Sequence, residues 1–376
     1  MSTESIAAQV KESFASRTPL RIAGGGNWLE AGRPVRADKT LSMRGETGVT
    51  AYVPADLTIT VRAGTTLSEI ASATNERNQW LPLDPYGTAD GSIGATIATA
   101  SAGPLASNFG LPRDLVLGLE FVNGRGEIVR AGGRVVKNVA GFDLSRLLTG
   151  SWGSLGVITE ITLRLYALPE VDRTFVIDLR GSEKQTASIL RAILAVPMSP
   201  YAFQLLGVSI ARSLRLGEAP VGLIRFAGNS AVVKAQAAAL GHIANCEEIE
   251  SSKWVDIRQL DGDSHTSLRI SSLPQRVVGT AARILGDDVP GVFTSIDPRR
   301  GVIRVVAGGG GAPQTSTEIA AGVEASGASQ LVFEKLPADL WRVVSPSVVS
   351  DQLSQGIKKA YDPANILNPG ILGDIN

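Results

Sequence analysis

Thiols and imidazoles are nearly missing from this chain. Cys246 is its one cysteine, and His242 and His265 are its two histidines, in 376 residues. One thiol closes no internal disulfide and cannot ligate an iron–sulfur cluster, which takes several thiolates. Each histidine stands without a second one nearby, so His242 reads as a helix-end residue and His265 as a loop residue. Asp261, Asp263 and His265 have the spacing of a short chelating loop. Such brief matches arise often by chance, so a plain loop is the preferred reading and no metal site is expected. A charge excess is missing too, since Lys+Arg and Asp+Glu stand at 36 each, and no net field steers nucleic acid or anionic membrane towards the chain. No apolar run reaches about 18 residues and no signal-peptide pattern opens the chain, so a cytoplasmic location is expected.

What the chain has in quantity is glycine: 41 residues, clustered rather than spread. The densest region is Leu83–Asp114, rich in Gly, Ala, Ser and Thr and bounded by turn dipeptides. Within it, Gly91-Ser92-Ile93-Gly94 leads into a short small-residue helix, Ala95–Ala100. Side chains this small let a backbone come close to something else, and freed N–H groups at a helix start suit a phosphate. A helix packed tightly on a sheet has the same composition, and this stretch alone does not separate the two.

Two more glycine loops follow the same plan. Leu20–Ala23 reads as a strand running into Gly24-Gly25-Gly26-Asn27. This is neither a P-loop, for no Gly-Lys-Ser/Thr follows, nor the spacing of a Rossmann fingerprint. Ser151–Gly156 is a glycine-punctuated loop entering an alternating strand, Val157–Leu165. Between them, Thr66 and Glu69 form a capping box, Asn123–Gly126 marks a hairpin, and Asp143 can cap a helix ended by Gly150. Three glycine loops, each beside a regular element, are better explained by one long ligand than by three unrelated turns. On that view valine at Gly25 or Gly94 removes ligand binding and leaves most of the fold intact.

In the order glycine triplet, GSIGATIATASAGP, LPRDLVLGLEFVNGRGE and KNVAGFDLSRLLTGSWGSLGVITE, the chain resembles the FAD-binding domain of the vanillyl-alcohol-oxidase/PCMH flavoprotein family. Within that family it is similar to the branch holding the FAD-binding subunits of bacterial glycolate oxidase. The resemblance covers about Ser5–Pro169 and returns at Tyr361–Gly370. It implies FAD, held without a covalent bond. Ala23, Gly24, Gly25, Gly26 and Asn27 would wrap the pyrophosphate, with Gly91, Ser92, Ile93, Gly94 and Thr96 on its other side. Ser101 and Gly103 would lie near the flavin and ribityl chain, Gly156, Val157 and Ile158 near the adenine half, and Pro82 would also bind the cofactor. Asn368 would bring the C-terminus back onto this domain. Phe142 and Trp152 depart from the residue types common there, a tyrosine and a small or acidic residue.

The fold class expected is α+β: a PCMH-type FAD-binding domain of two subdomains over 1–169, a ferredoxin-like antiparallel cap over 170–346, and a C-terminal segment over 347–376. Strands are expected at Thr174–Leu179, Phe203–Gly207, Val221–Phe226, Gly291–Ile296, Val302–Ala307 and Gln330–Leu336. Helices are expected at Glu183–Leu194, Ala231–Leu240 and Thr315–Ala325, with Gly308–Gly311 a loop. Oxidising a 2-hydroxy acid needs a base for the hydroxyl proton and cations for the carboxylate. Relatives that do so carry a histidine-rich cap cluster, and this sequence has none. No catalytic residue is therefore assigned. The resemblance implies an FAD subunit acting in oxidation of glycolate or D-lactate beside a larger homologous FAD subunit and an iron–sulfur subunit. Any attachment to the inner membrane would run through those partners. A free-standing FAD-dependent 2-hydroxy-acid dehydrogenase and a structural subunit without flavin are the alternatives.

Overall fold

The computed structural model describes residues 2–133, 143–260, 264–286, 288–308, 330–338, 340–342 and 351–373. The expectations for Lys137–Phe142, Asp261, Asp263, Gly309–Gly311 and Thr315–Ala325 lie outside those residues. The chain divides into two compact units, one of 1–102, 110–168 and 341–376, the other of 103–109 and 169–340.

The first unit opens with a helix, Thr3–Ser16, whose Ile6, Ala7 and Val10 are buried along one stripe. Next, β1 (Leu20–Ala23) and β2 (Lys39–Ser42) pair in parallel. β3 (Val49–Val53) and β4 (Thr58–Arg62) follow, and then the helix Leu67–Asn75. The expected capping box is present there: Glu69 N–H donates to the Thr66 hydroxyl at 3.1 Å, and Thr66 N–H donates to the Glu69 carboxylate at 2.7 Å. β5 (Gln79–Trp80) precedes the small-residue helix, which spans Ile93–Thr99. β6 (Val116–Val122), β7 (Ile128–Gly132), β8 (Val157–Arg164) and β9 (Tyr166–Ala167) complete the strands of this unit. Five of them form one antiparallel sheet in the order β3-β4-β8-β6-β7. Val157, Ile161, Leu163 and Phe121 are fully buried on it, in a core shared with Ile6, Ile93 and Ile97. β6 and β7 form the expected hairpin, where the Asn123 side-chain oxygen accepts from the N–H groups of Arg125 and Glu127.

The second unit is a tandem of two ferredoxin-like halves. The first runs β10 (Val171–Asp178), helix Glu183–Ala195, β11 (Ala202–Leu206), β12 (Val221–Gly228), helix Ser230–Ile243 and β13 (Cys246–Ile249). The second has β14 (Ser264–Ser271), helix Pro274–Ile284, β15 (Val292–Asp297), β16 (Val302–Gly308) and β17 (Gln330–Lys335). The eight strands form one sheet, β13-β10-β12-β11-β15-β16-β14-β17, every described pair of it antiparallel. The order within one half is the mirror of the other, and the two meet at β11 and β15, where Leu205 faces Ile296 and Leu206 faces Ser295. Leu190, Leu240 and Val277, one from each long helix, fall in a single core with Phe203, Phe226 and Ile303. β13, β14 and the helices Lys253–Gln259 and Pro274–Ile284 were not foreseen from the sequence. The expectation that His265 lies in a loop is corrected, because it is an exposed position of β14, whereas His242 sits in the last turn of its helix as expected.

The second half carries a charged group within its sheet. Arg304, 3% exposed, forms an ion pair with Glu334 and donates to the Ser267 hydroxyl at 2.7 Å, while Arg269 reaches Glu334 at 3.3 Å. Burial pushes the Glu334 carboxyl up, but the guanidinium groups of Arg304 and Arg269 outweigh it and hold it below the ordinary value. A depressed folded-state pKa gives stability that is present above the unfolded value, about 4.3, and lost as pH falls through the folded one. Glu334→Gln takes this counter-charge from the buried Arg304 guanidinium, so it should cost about 3–5 kcal/mol at pH 7. Denaturant midpoints across pH 7 to pH 3 should fall for wild type in the acid window and much less for Glu334→Gln. Parallel curves would show that this carboxylate is not linked to folding.

Candidate functional site

The end of β1 and the start of the helix Ile93–Thr99 approach closer than side chains allow. A Cβ on Gly24 would stand 2.3 Å from the Ser92 hydroxyl oxygen and 2.9 Å from the Ala95 Cβ. Ser92 occupies the N-cap of that helix but makes no side-chain cap bond. Its hydroxyl instead accepts the Gly25 N–H at 3.2 Å, pinning the glycine triplet to the helix start. Gly26 completes the turn with φ of +90°, a conformation that suits glycine.

The first helical N–H groups have other partners. Ile93 N–H donates to Thr65 C=O at 2.9 Å and Gly94 N–H to Ala63 C=O at 2.8 Å. The expectation that these donors face a phosphate is thereby corrected: the turn after β4 takes them. A Cβ on Gly94 would lie 2.7 Å from both the Ala63 Cβ and the Ala63 carbonyl oxygen, so this glycine serves packing. Gly156 does likewise, since its Cβ would meet the Phe121 ring at 2.6 Å.

Around this junction opens a cleft that encloses about 1160 Å³ when the open solvent at its mouth is counted. Of the expected residues, Ala23, Gly24, Gly25, Gly26, Asn27, Gly91, Ser92, Gly94, Thr96, Ser101, Gly156, Ile158 and Asn368 line it. Four others lie outside its lining. Ile93 and Val157 are fully buried core residues, and Pro82 is buried as well. Gly103 belongs with residues 103–109 to the second unit. There the Ser107 hydroxyl donates to Asp297, whose carboxyl burial pushes up, and the Phe109 ring meets Tyr201 edge-on at 4.9 Å.

Arg21, Trp28, Tyr86 and Trp152 also line the cleft and were not foreseen as lining residues. Arg21 lies in β1, whose burial does not alternate and whose Ile22 and Ala23 line the cleft as well, so no period of two marks it. The aromatic residues sit in irregular loops and give no such signal. Arg21, whose guanidinium donates to the Leu29 carbonyl, is the one charged side chain of the lining among the described residues. Ser101 lines the cleft with its hydroxyl buried and without a hydrogen-bond partner, and such a group awaits one from a ligand. Small residues, backbone polar groups and this hydroxyl fit a long, partly anionic, partly aromatic molecule. Among the described residues no three His, Cys, Asp or Glu side chains are grouped to hold a metal.

These features fit an FAD-binding domain. Residues 1–132 match the family model described as the FAD binding domain, and FAD is the cofactor of that domain. The Escherichia coli glycolate oxidase subunit GlcE is 41% identical over 169 residues, which are 44% of this chain and 48% of that one. The Bacillus subtilis glycolate oxidase subunit GlcD is 34% identical over 42% of this chain and 34% of its own. A probable mitochondrial D-lactate dehydrogenase of Danio rerio is 29% identical over 77% of this chain and 64% of its own. The matches thus span about a third to two thirds of these relatives. A solved structure of alkyldihydroxyacetonephosphate synthase superposes with a TM-score of 0.69 at 16% identity, covering 97% of this chain and 74% of that one, which is a likeness of fold.

With the cleft taken as the FAD site, its glycines separate into two classes. At Gly25 the nearest atom to an added Cβ is the Asp90 carbonyl oxygen at 3.4 Å, an ordinary contact. Gly25→Val should therefore keep the fold, by far-ultraviolet circular dichroism, and lose FAD in a titration. The sequence-based expectation for Gly94→Val changes: backbone overlap at Ala63 should unfold the unit, and loss of FAD alone would show that the helix can shift.

Proposed function

We propose that this chain is a non-covalent FAD-binding subunit of a complex that oxidises a small 2-hydroxy acid, glycolate or D-lactate. The observation that carries the reading is the chemistry of the cleft wall. Its glycine turns and small helix accommodate a dinucleotide, and among the described residues its lining contains Arg21 but no carboxylate or imidazole. FAD bound there supplies a two-electron acceptor; the protein around it binds, orients and shields. Removing the hydroxyl proton of a 2-hydroxy acid takes a base within hydrogen-bond reach. His242 at a helix end and His265 on an exposed strand position lie in the second unit, and neither lines the cleft. We therefore assign the proton acceptor, and the onward path through iron–sulfur centres, to partner subunits. The names of the two glycolate oxidase subunits among its relatives support this assignment. The cofactor domain of this reading is 1–169, the cap 170–346 and the returning segment 347–376.

One observation favours a second reading, a free-standing dehydrogenase. Likeness to the Danio rerio enzyme, named a probable D-lactate dehydrogenase, reaches over 77% of this chain and so beyond the cofactor domain.

Acid precipitation should release all flavin into the supernatant as FAD; flavin left in the pellet would contradict non-covalent binding. The isolated holoprotein should turn over glycolate and D-lactate negligibly with an artificial acceptor, and the reconstituted complex should turn over one of them readily. Turnover by the single chain at about 10 per second, the usual enzyme range, would establish the dehydrogenase reading instead.

A further inference from the structure

The walls of the cleft form a closed hydrogen-bonded circuit. Ile22 N–H of β1 donates to the side-chain oxygen of Asn368 at 2.7 Å, and the Asn368 amide nitrogen donates to the Trp152 C=O at 2.7 Å. Trp152 N–H donates to Ala98 C=O at 2.8 Å near the end of the helix Ile93–Thr99. At the other end of that helix, Ser92 accepts from Gly25, three residues along the chain from Ile22. Ile22, Gly25, Ser92, Ala98, Trp152 and Asn368 all line the cleft. The circuit has two side-chain links, Ser92 and Asn368; the others are backbone.

We infer that Asn368 is a positioning residue for the cofactor, the clasp by which the C-terminal segment holds β1 and the Trp152 turn at the separation the cofactor needs. This rests on the reading of the cleft as the FAD site. The position demands asparagine for three reasons. The side chain must accept from one backbone group and donate to another, which Asp and Leu cannot do. Its φ is 44°, in the left-handed region that asparagine tolerates better than most residues. It is 6% exposed, so an unmatched amide there would go unsatisfied by water. Trp152 and Gly153 opposite also have positive φ, 54° and 69°, and a Cβ on Gly153 would come within 2.8 Å of the Asn368 amide nitrogen. A non-glycine residue in that region persists where its surroundings hold it. The Asn368 amide donates to the Trp152 carbonyl and the Ala98 carbonyl accepts the Trp152 N–H, so both backbone polar groups of Trp152 are held.

The test compares wild-type holoprotein with Asn368→Asp, Asn368→Ala and Leu367→Ala. Leu367 is fully buried beside Asn368 and contributes packing to the same segment without joining the circuit. Asn368→Asp keeps an acceptor for Ile22 but faces the Trp152 carbonyl with a carboxylate, so FAD should dissociate at least about tenfold faster. Leu367→Ala should lower the melting temperature and leave the FAD dissociation rate within about threefold of wild type. In flavin-stripped chain, the Ile22 amide should lose hydrogen-exchange protection in Asn368→Ala, a readout that needs no cofactor. Retained Ile22 protection, a wild-type dissociation rate in Asn368→Asp, or equally fast release from Leu367→Ala would overturn the inference. Wild-type chain that binds no FAD would overturn the cofactor reading, and the clasp for it, even where the Ile22 result shows the circuit intact.

Discussion

The contact between Gly24 and the start of the helix Ile93–Thr99 is the constraint on which the first unit depends. At that separation a single methyl group overlaps Ser92 and Ala95, so both partners are restricted to small residues. The restriction spreads outward. Ser92 accepts from Gly25 and makes no cap bond to its own helix, and the first helical N–H groups pair with Thr65 and Ala63 instead. Ala63 must then come within contact of Gly94, which again excludes a side chain. Each of these bonds contributes only about 1 kcal/mol net, but an unmatched buried donor costs more than that, so the set holds or fails together.

Strand β1 shows the same economy. It is short, yet neither edge is open: β2 pairs with it in parallel on one side, and the C-terminal run approaches it at Leu20, where Leu20 N–H donates to Ile366 C=O at 2.7 Å. That run is itself ordered by Asp362, fully buried at its side chain, which accepts from the N–H groups of Ile366 and Leu367 and from Lys358. The second unit meets the edge problem differently. Each half ends at a second strand that would be bare if the half stood alone, and pairing β11 with β15 removes both bare edges at once. Their helices then share one core rather than two small ones, and a larger core buries a greater share of its surface.

Much of this was legible in the sequence, and the reason is local chemistry. The capping box at Thr66, the hairpin at Asn123–Gly126 and the Asp143 cap on the helix Leu144–Leu148 are written in adjacent residues. So were the long strands with clean alternation, such as β8. β13 and β14 were missed because Cys246–Ile249 and Ser264–Ser271 carry Glu, Ser, His and Arg where an apolar residue would signal a strand. In β14 those polar residues are matched across the sheet by partners distant in sequence, Arg304 and Glu334 among them. The glycines of the cleft were found for a reason only partly right. Gly25 and Gly26 do lie open in the turn, whereas Gly24, Gly94 and Gly156 are glycines because protein atoms fill the space. Composition reports that something comes close; it does not say whether that is ligand or protein.

That distinction bears on how a neutral, glycine-lined cleft can hold a large molecule at all. Lysine and arginine side chains give up rotamer freedom when they bind an anion, whereas a backbone N–H held in a turn has already lost it during folding. Among the described residues the cleft has one charged side chain in its lining, so most of what these can give a ligand comes from groups fixed in advance. Such a wall is only as exact as the bonds that space its parts. Here the spacing is maintained by residues far apart in the chain, 25 with 92, 98 with 152, and 152 with 368. Loops of that length must close before any of these contacts is made, which costs chain entropy. The cleft's rigidity is a property of the completed first unit, C-terminal segment included, and not of the glycine motifs taken singly.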